Sequence, residues 1–175
     1  MNPRYVSLGT IDGTLITLGV LTATREISAP TLTLAVAMAA GISSALSNSF
    51  GAYVAESTMA ERELSEYAKH LMIPTLDGTA TARAYRLDTY TNAATMGLFA
   101  LLGASVPMLP VIFLGLGASG RTSAIALSLV TLFFLGAYVG ARSKRSLVPM
   151  GLRTALLGVL VTFLAWGISQ ILVST

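Results

Sequence analysis

The sequence predicts an all-α integral membrane protein with five transmembrane helices and a short cytoplasmic helical segment between the second and third. Three observations carry that expectation. Of the 175 residues, 54% are hydrophobic and 11% charged, against about 25% charged in an ordinary soluble domain. The mean hydropathy is +0.73. Apolar stretches long enough to cross a hydrocarbon core of about 30 Å recur along the chain. The chain therefore reads as a single transmembrane domain over residues 1–175, with 56–88 as an abbreviated cytoplasmic segment.

The first span, about 6–24, is the run VSLGTIDGTLITLGVLTA, ended by the polar turn TREISAP. Its leading residues hold one arginine and no small-residue cleavage pattern, which marks a retained span rather than a signal peptide. Asp12 lies inside this run with no cation near it in sequence. A carboxylate at membrane depth costs roughly 2.5–3.5 kcal/mol on insertion scales, faces a protein interior or a water-filled cavity, and marks function by default.

The second span, about 31–55, carries Ser44, Asn48, Ala52 and Glu56 at every fourth position. They form one slanting stripe in steps of about 6 Å. Hydroxyl and amide oxygens suit a hard cation, and the same groups also serve as hydrogen-bonding glue between membrane helices. Both readings stand at this level.

Residues 56–88 hold most of the acids. Ala60, Leu64, Tyr67, Ala68 and Leu71 repeat with helical period. Glu56, Glu63 and His70 share another face, with Glu66 one turn before His70. Carboxylates and an imidazole so placed could hold Fe²⁺, Mn²⁺ or Zn²⁺; a solvated amphipathic helix with Glu66–Lys69 pairing is the simpler account. Asp77 and Gly78 read as a turn, and Asp88 as the cap of the next helix.

The third span, about 90–116, contains Pro107 and Pro110, which deprive the carbonyls of Gly103 and Val106 of helical partners and predict a packing kink. A turn at 117–123 leads to the fourth span, about 123–141. The basic loop ARSKRS then leads to the fifth, about 149–173, where Trp166 reads, like Tyr138 before it, as a packing or interface aromatic. Gly9 and Gly13, Gly136 and Gly140, and the group Ser43, Ser44, Ser47 and Gly51 allow close helix contacts.

Nine of the eleven Lys and Arg residues fall on one side of this arrangement, and only Arg25 and Arg121 on the other. The N-terminus and both charged loops are thus expected in the cytoplasm and the C-terminus outside. The absence of cysteine excludes disulfides and thiolate metal sites. A net charge of +3, scattered along the chain, gives no basis for nucleic-acid binding. The chain contains no HExxH, GxSxG, Walker A or GxGxxG pattern, so no enzyme is expected.

Several segments together resemble the vacuolar iron transporter family, of which this chain looks like a small, divergent, prokaryotic-type member. DGTLITLGVLTA (12–23) is similar to the family's DG-x-x-T-T opening, and ALSNSFGAYVAEST (45–58) to its A-L-S-M-x-x-G-E-Y-x-S. LLGASVPMLP (101–110) is similar to L-L-G-A-x-x-P-x-x-P, while 126–146 and 151–172 resemble the family's basic exit and its widely spaced glycines. The resemblance implies a homodimer in the bilayer that exchanges Fe²⁺ or Mn²⁺ for protons between spans of the two subunits. It implies no permanently bound cofactor, and a prokaryotic plasma membrane suits the chain.

Asp12, Ser44, Asn48 and Glu56 are the expected path residues. Asp12, Glu61, Glu63, Glu66 and His70 are the expected metal ligands, Glu61 matching the family's first cytoplasmic glutamate. Two departures matter. Asn48 and Ala52 stand where the iron carriers have a methionine and a glutamate, which removes a soft ligand and a charge; Glu56, one turn below, is the stand-in. A membrane interaction or assembly protein that kept the fold, or a carrier of another small solute, are the alternatives.

Overall fold

Five helices make up the chain in the computed structural model, which describes residues 2–25, 29–143 and 146–173. They are α1 (Pro3–Ala23), α2 (Pro30–His70), α3 (Ala80–Leu114), α4 (Ala118–Arg142) and α5 (Leu147–Val173). Each is long and apolar enough to cross a membrane. Lys144, Arg145 and the last two residues, used above for orientation, lie outside the described residues.

The helix ends follow local chemistry. Asn2 caps α1 by accepting from the Arg4 amide at 3.1 Å, with Pro3 at the first helical position. Thr79 caps α3 by accepting from the Ala82 amide at 3.2 Å. Gly115, with φ 75°, ends α3.

Residues 56–70 form no element of their own: they continue α2 as one 41-residue helix. Nothing between Ala52 and His70 breaks a helix, since that stretch holds neither proline nor glycine. α2 stops where Met72 takes φ 54°, followed by Pro74. Thr79, rather than Asp88, starts the next helix, and Asp88 lies exposed within α3. Residues 56–88 are thus an extended α2–α3 hairpin joined by 71–79, where Asp77 and Gly78 form the expected turn.

α3 is the spine of the bundle, packed against α1, α2 and α4. α1 lies so close to it that a Cβ on Gly13 would overlap the backbone of Ala100, and one on Gly103 the backbone of Thr10. α4 and α5 pair similarly: a Cβ on Gly136 would sit 2.7 Å from the Met150 carbonyl. The two glycine pairs expected to allow close approach are therefore used within one chain. Among the described residues, α2 touches only α1 and α3, whereas α5 touches only α1 and α4.

One buried cluster joins Leu21, Ala37, Met108, Val111 and Ala124 at the end of the bundle where α4 begins. A second joins Tyr5, Ala52 and Ala93 beneath the α2–α3 hairpin. The large exposed side chains, including Phe50, Phe113, Phe134 and Phe163, lie on outer helix faces, where lipid replaces water as the solvent.

Candidate functional site

Asp12 sits near the middle of α1, about 14 Å from its start at 1.5 Å per residue. One carboxylate oxygen, Oδ2, accepts the hydroxyl of Ser44 at 2.8 Å and the side-chain amide of Asn48 at 2.6 Å. The same amide lies 3.2 Å from the Ser44 hydroxyl, closing a triangle across α1 and α2. Four-residue spacing on α2 is what brings Ser44 and Asn48 to one carboxylate. Ser44 is buried, while Asp12 and Asn48 are half-buried. Both donors are neutral dipoles, a hydroxyl and an amide, rather than cations.

Glu56 belongs to a different group. It lies twelve residues beyond Ser44 on α2, about 18 Å along the axis. Its Oε1 accepts the hydroxyl of Tyr5 from α1, and its Oε2 the amide of Asn92 from α3 at 2.9 Å. The half-buried Glu56 thus ties three helices together beside the Tyr5, Ala52 and Ala93 cluster. Sequence reasoning placed Glu56 near the path but missed Tyr5 and Asn92. Both stand at helix positions with no pattern linking them to residue 56; only the packing of α1 and α3 brings them there.

The four acidic and imidazole candidates on the outer part of α2 diverge. Glu66 pairs with Arg62 at 3.3 Å on an exposed face, and the His70 ring contacts the Glu66 carbonyl at 2.7 Å through Nδ1. Glu63 faces α3, where its hydrogen bond, with partial desolvation, pushes the Tyr85 phenol up to about 12. Glu61 lines a cavity of about 640 Å³ between α2, α3 and their connection, together with Lys69, Asp77 and Arg86. Arg86 pairs with Asp77 at 3.2 Å. Among the described residues, no three His, Asp or Glu side chains converge as a metal site.

Pro107, where a kink is expected, is buried within α3. Thr14 Oγ1 lies 3.0 Å from the Gly103 carbonyl and 2.8 Å from the Thr10 carbonyl in its own helix. α1 thus supplies the donor that Pro107 withholds.

Residues 70–170, more than half of the chain, match the VIT family. That stretch covers α3 to α5 and leaves Asp12, Ser44 and Asn48 outside it. Over 152 residues, the chain is 27% identical to an uncharacterized protein of Methanocaldococcus jannaschii, covering 86% of this chain and 79% of that one. The chain belongs to the VIT family, as a multi-pass membrane protein whose membership points to metal-ion transport.

Proposed function

We propose that the chain carries Fe²⁺ or Mn²⁺ across the membrane in exchange for protons, along a path centred on Asp12 at a seam between two copies. The supporting observation is the half-buried Asp12 carboxylate midway along α1, met by two neutral donors from α2. A cation arriving there finds carboxylate and hydroxyl oxygens in place. It gains a third oxygen if the Asn48 amide turns its Oδ1 inward, since the amide nitrogen now facing Asp12 cannot ligate. An oxygen set of this kind suits Mn²⁺ better than a softer ion. Protonated Asp12 is the metal-free partner of the exchange: the metal enters as the proton leaves.

The seam is motivated by what α2 leaves uncovered. Ser43, Ser47 and Gly51 are small, exposed and adjacent to the Asp12 triangle, and among the described residues α2 has no neighbour beyond α1 and α3. A second copy seated there would bring a second Asp12 towards the first. Flux of Fe²⁺ and Mn²⁺ into proteoliposomes under a proton gradient tests the reading. Asp12→Asn should abolish it, and undiminished flux in that variant would exclude Asp12 as the carrier of metal and proton.

One observation favours a second reading, a fold-retaining relative that does not transport. The Asn48 amide satisfies Asp12 internally, where the resembling iron carriers place a thioether. If the wild type is inactive and Asn48→Met alone creates flux, the second reading holds.

A further inference from the structure

Two threonine hydroxyls on the helices that form the Asp12 triangle are buried with no hydrogen-bond partner among the described residues. They belong to Thr17 of α1 and Thr33 of α2, both 0% exposed. Their neighbours behave otherwise. Thr10, Thr14 and Thr22 of α1 each donate to the carbonyl four residues back, at 2.7, 2.8 and 2.8 Å. Thr17 Oγ1 lies towards α2 instead, where a Cβ added to Gly41 would sit 3.9 Å from it.

The positions along α2 order these groups. Gly41 is one turn from Ser44, about 4.5 Å along the axis. Thr33 lies about 16 Å from Ser44, and the eleven residues between the two numbers make just over three whole turns. Thr33 therefore returns to the side of α2 from which Ser44 reaches Asp12. The Asp12 triangle, Thr17 and Thr33 are thus successive levels beside α2, leading to the bundle end where α4 begins. The packing at that end is apolar, with Leu21, Ala37, Met108 and Val111 in one cluster. A hydroxyl enclosed there without a partner is destabilising, and bound water is the ordinary remedy. Because a hydroxyl both donates and accepts, water held by it can pass a proton in either direction.

We propose that Thr17 and Thr33 are water-binding stations on a hydrated track from Asp12 along α2 to the bundle end where α4 begins, and that the proton exchanged at Asp12 travels by it. The proton's part rests on the Asp12 reading above; the water's part does not. The chain has no cysteine, so Thr17→Cys and Thr33→Cys each introduce the single thiol of the protein. The test is the rate at which silver ion, small enough to follow a file of waters, blocks that thiol in nanodiscs, where both bilayer faces are open. Maleimide labelling of the unfolded chain then reads the thiol that remains. Ser128→Cys is the dry reference, since Ser128 is equally buried and its hydroxyl donates to the Ala124 carbonyl at 2.6 Å.

Blocking at 17 and at 33 should be about ten-fold or more faster than at 128, because a thiol packed in apolar surroundings is inert. Rates equal to the reference at both positions would overturn the proposal, leaving two hydroxyls packed for shape alone. Blocking at 33 without blocking at 17 would also overturn it, confining water to the end of the bundle. Thr17→Val keeps the shape and removes the hydroxyl, so Asp12-dependent proton exchange should fall several-fold, while Thr17→Ser should retain it. Undiminished exchange in Thr17→Val would overturn the proton's route. If both thiols are blocked while Asp12→Asn leaves flux undiminished, the water track stands and the Asp12 reading is the one that fails.

Discussion

Thr14 on α1 and Gly103 on α3 share a hydrogen bond of 3.0 Å in the centre of the bundle, made at the carbonyl that Pro107 leaves without its helical N–H. Without the threonine hydroxyl, that acceptor is stranded in an apolar interior. Thr14→Val should cost about 1–3 kcal/mol, the penalty for an unsatisfied buried group, read as a lowered unfolding midpoint in detergent. Pro107→Ala in the same background should recover most of it, because an alanine N–H can reach the same carbonyl. Additive losses from the two substitutions would separate Thr14 from Pro107.

Glycines 13 and 51 make opposite predictions. Gly13→Ala drives a Cβ into the Ala100 backbone, so α1 must withdraw from α3, at a cost of about 1–3 kcal/mol or more. Gly51→Ala meets nothing within 4 Å and should raise stability by up to about 1 kcal/mol through helix propensity. Thermal unfolding of both variants checks the contrast. A large loss from Gly51→Ala would place another chain against that face.

Glu56→Gln keeps one side-chain acceptor and turns the other into a donor, so the Tyr5 hydroxyl must switch to accepting, its proton left without an acceptor, or Asn92 loses its acceptor. The expected loss is about 1–2 kcal/mol. Tyr5→Phe combined with Glu56→Gln should cost less than the sum of the singles, as for groups in one network. The bonds of Ser44 and Asn48 to Asp12 involve none of these groups, so any flux that depends on Asp12 should be unchanged by the pair.

Restoring a glutamate at position 52 should not restore a path. Ala52 is buried against Tyr5 and Ala93, and one turn from Glu56 on the same helix. A carboxylate there is desolvated beside another. Ala52→Glu should therefore express poorly or unfold early, whereas Asn48→Met changes a half-buried position and should leave the fold intact. Equal stability of the two variants would show room at position 52 that the packing denies.

Tyr85 gives a pH signature. Its phenol is pushed up to about 12 by the hydrogen bond to Glu63, then by desolvation. A raised folded value means that this contact contributes in full below the ordinary phenol value near 10 and is lost as pH rises through about 12. An absorbance titration of the six tyrosines should contain a late-ionising component to which Tyr85 contributes. Glu63→Gln should bring it back towards the ordinary range.

The five helices were legible because length and apolar composition dictate them, and the glycine pairs at 9 and 13 and at 136 and 140 pointed to real close approaches. The shared face of Ser44 and Asn48 was legible from their four-residue spacing, whereas their bonds to Asp12 arise only where α1 packs on α2. The boundary between membrane and charged segment was not, because charge alone does not interrupt an α-helix: α2 runs through Glu56 without a break. Asp88 looked like a cap on composition, while the actual cap, Thr79, follows the left-handed Gly78 that makes the turn. Tyr5 and Asn92 were invisible in sequence because their relation to Glu56 exists only after three helices meet.

The unbroken α2 has a mechanical meaning. Its 41 residues form a strut about 60 Å long, with the Ser44 and Asn48 donors near its middle and His70 at its far end. A strut has no joint at which to absorb displacement. Any force on the hairpin tip, from a docking partner or a bound ion, arrives as leverage on the two side chains that hold Asp12, and a tilt of a few degrees at one end is a shift of ångströms at the other.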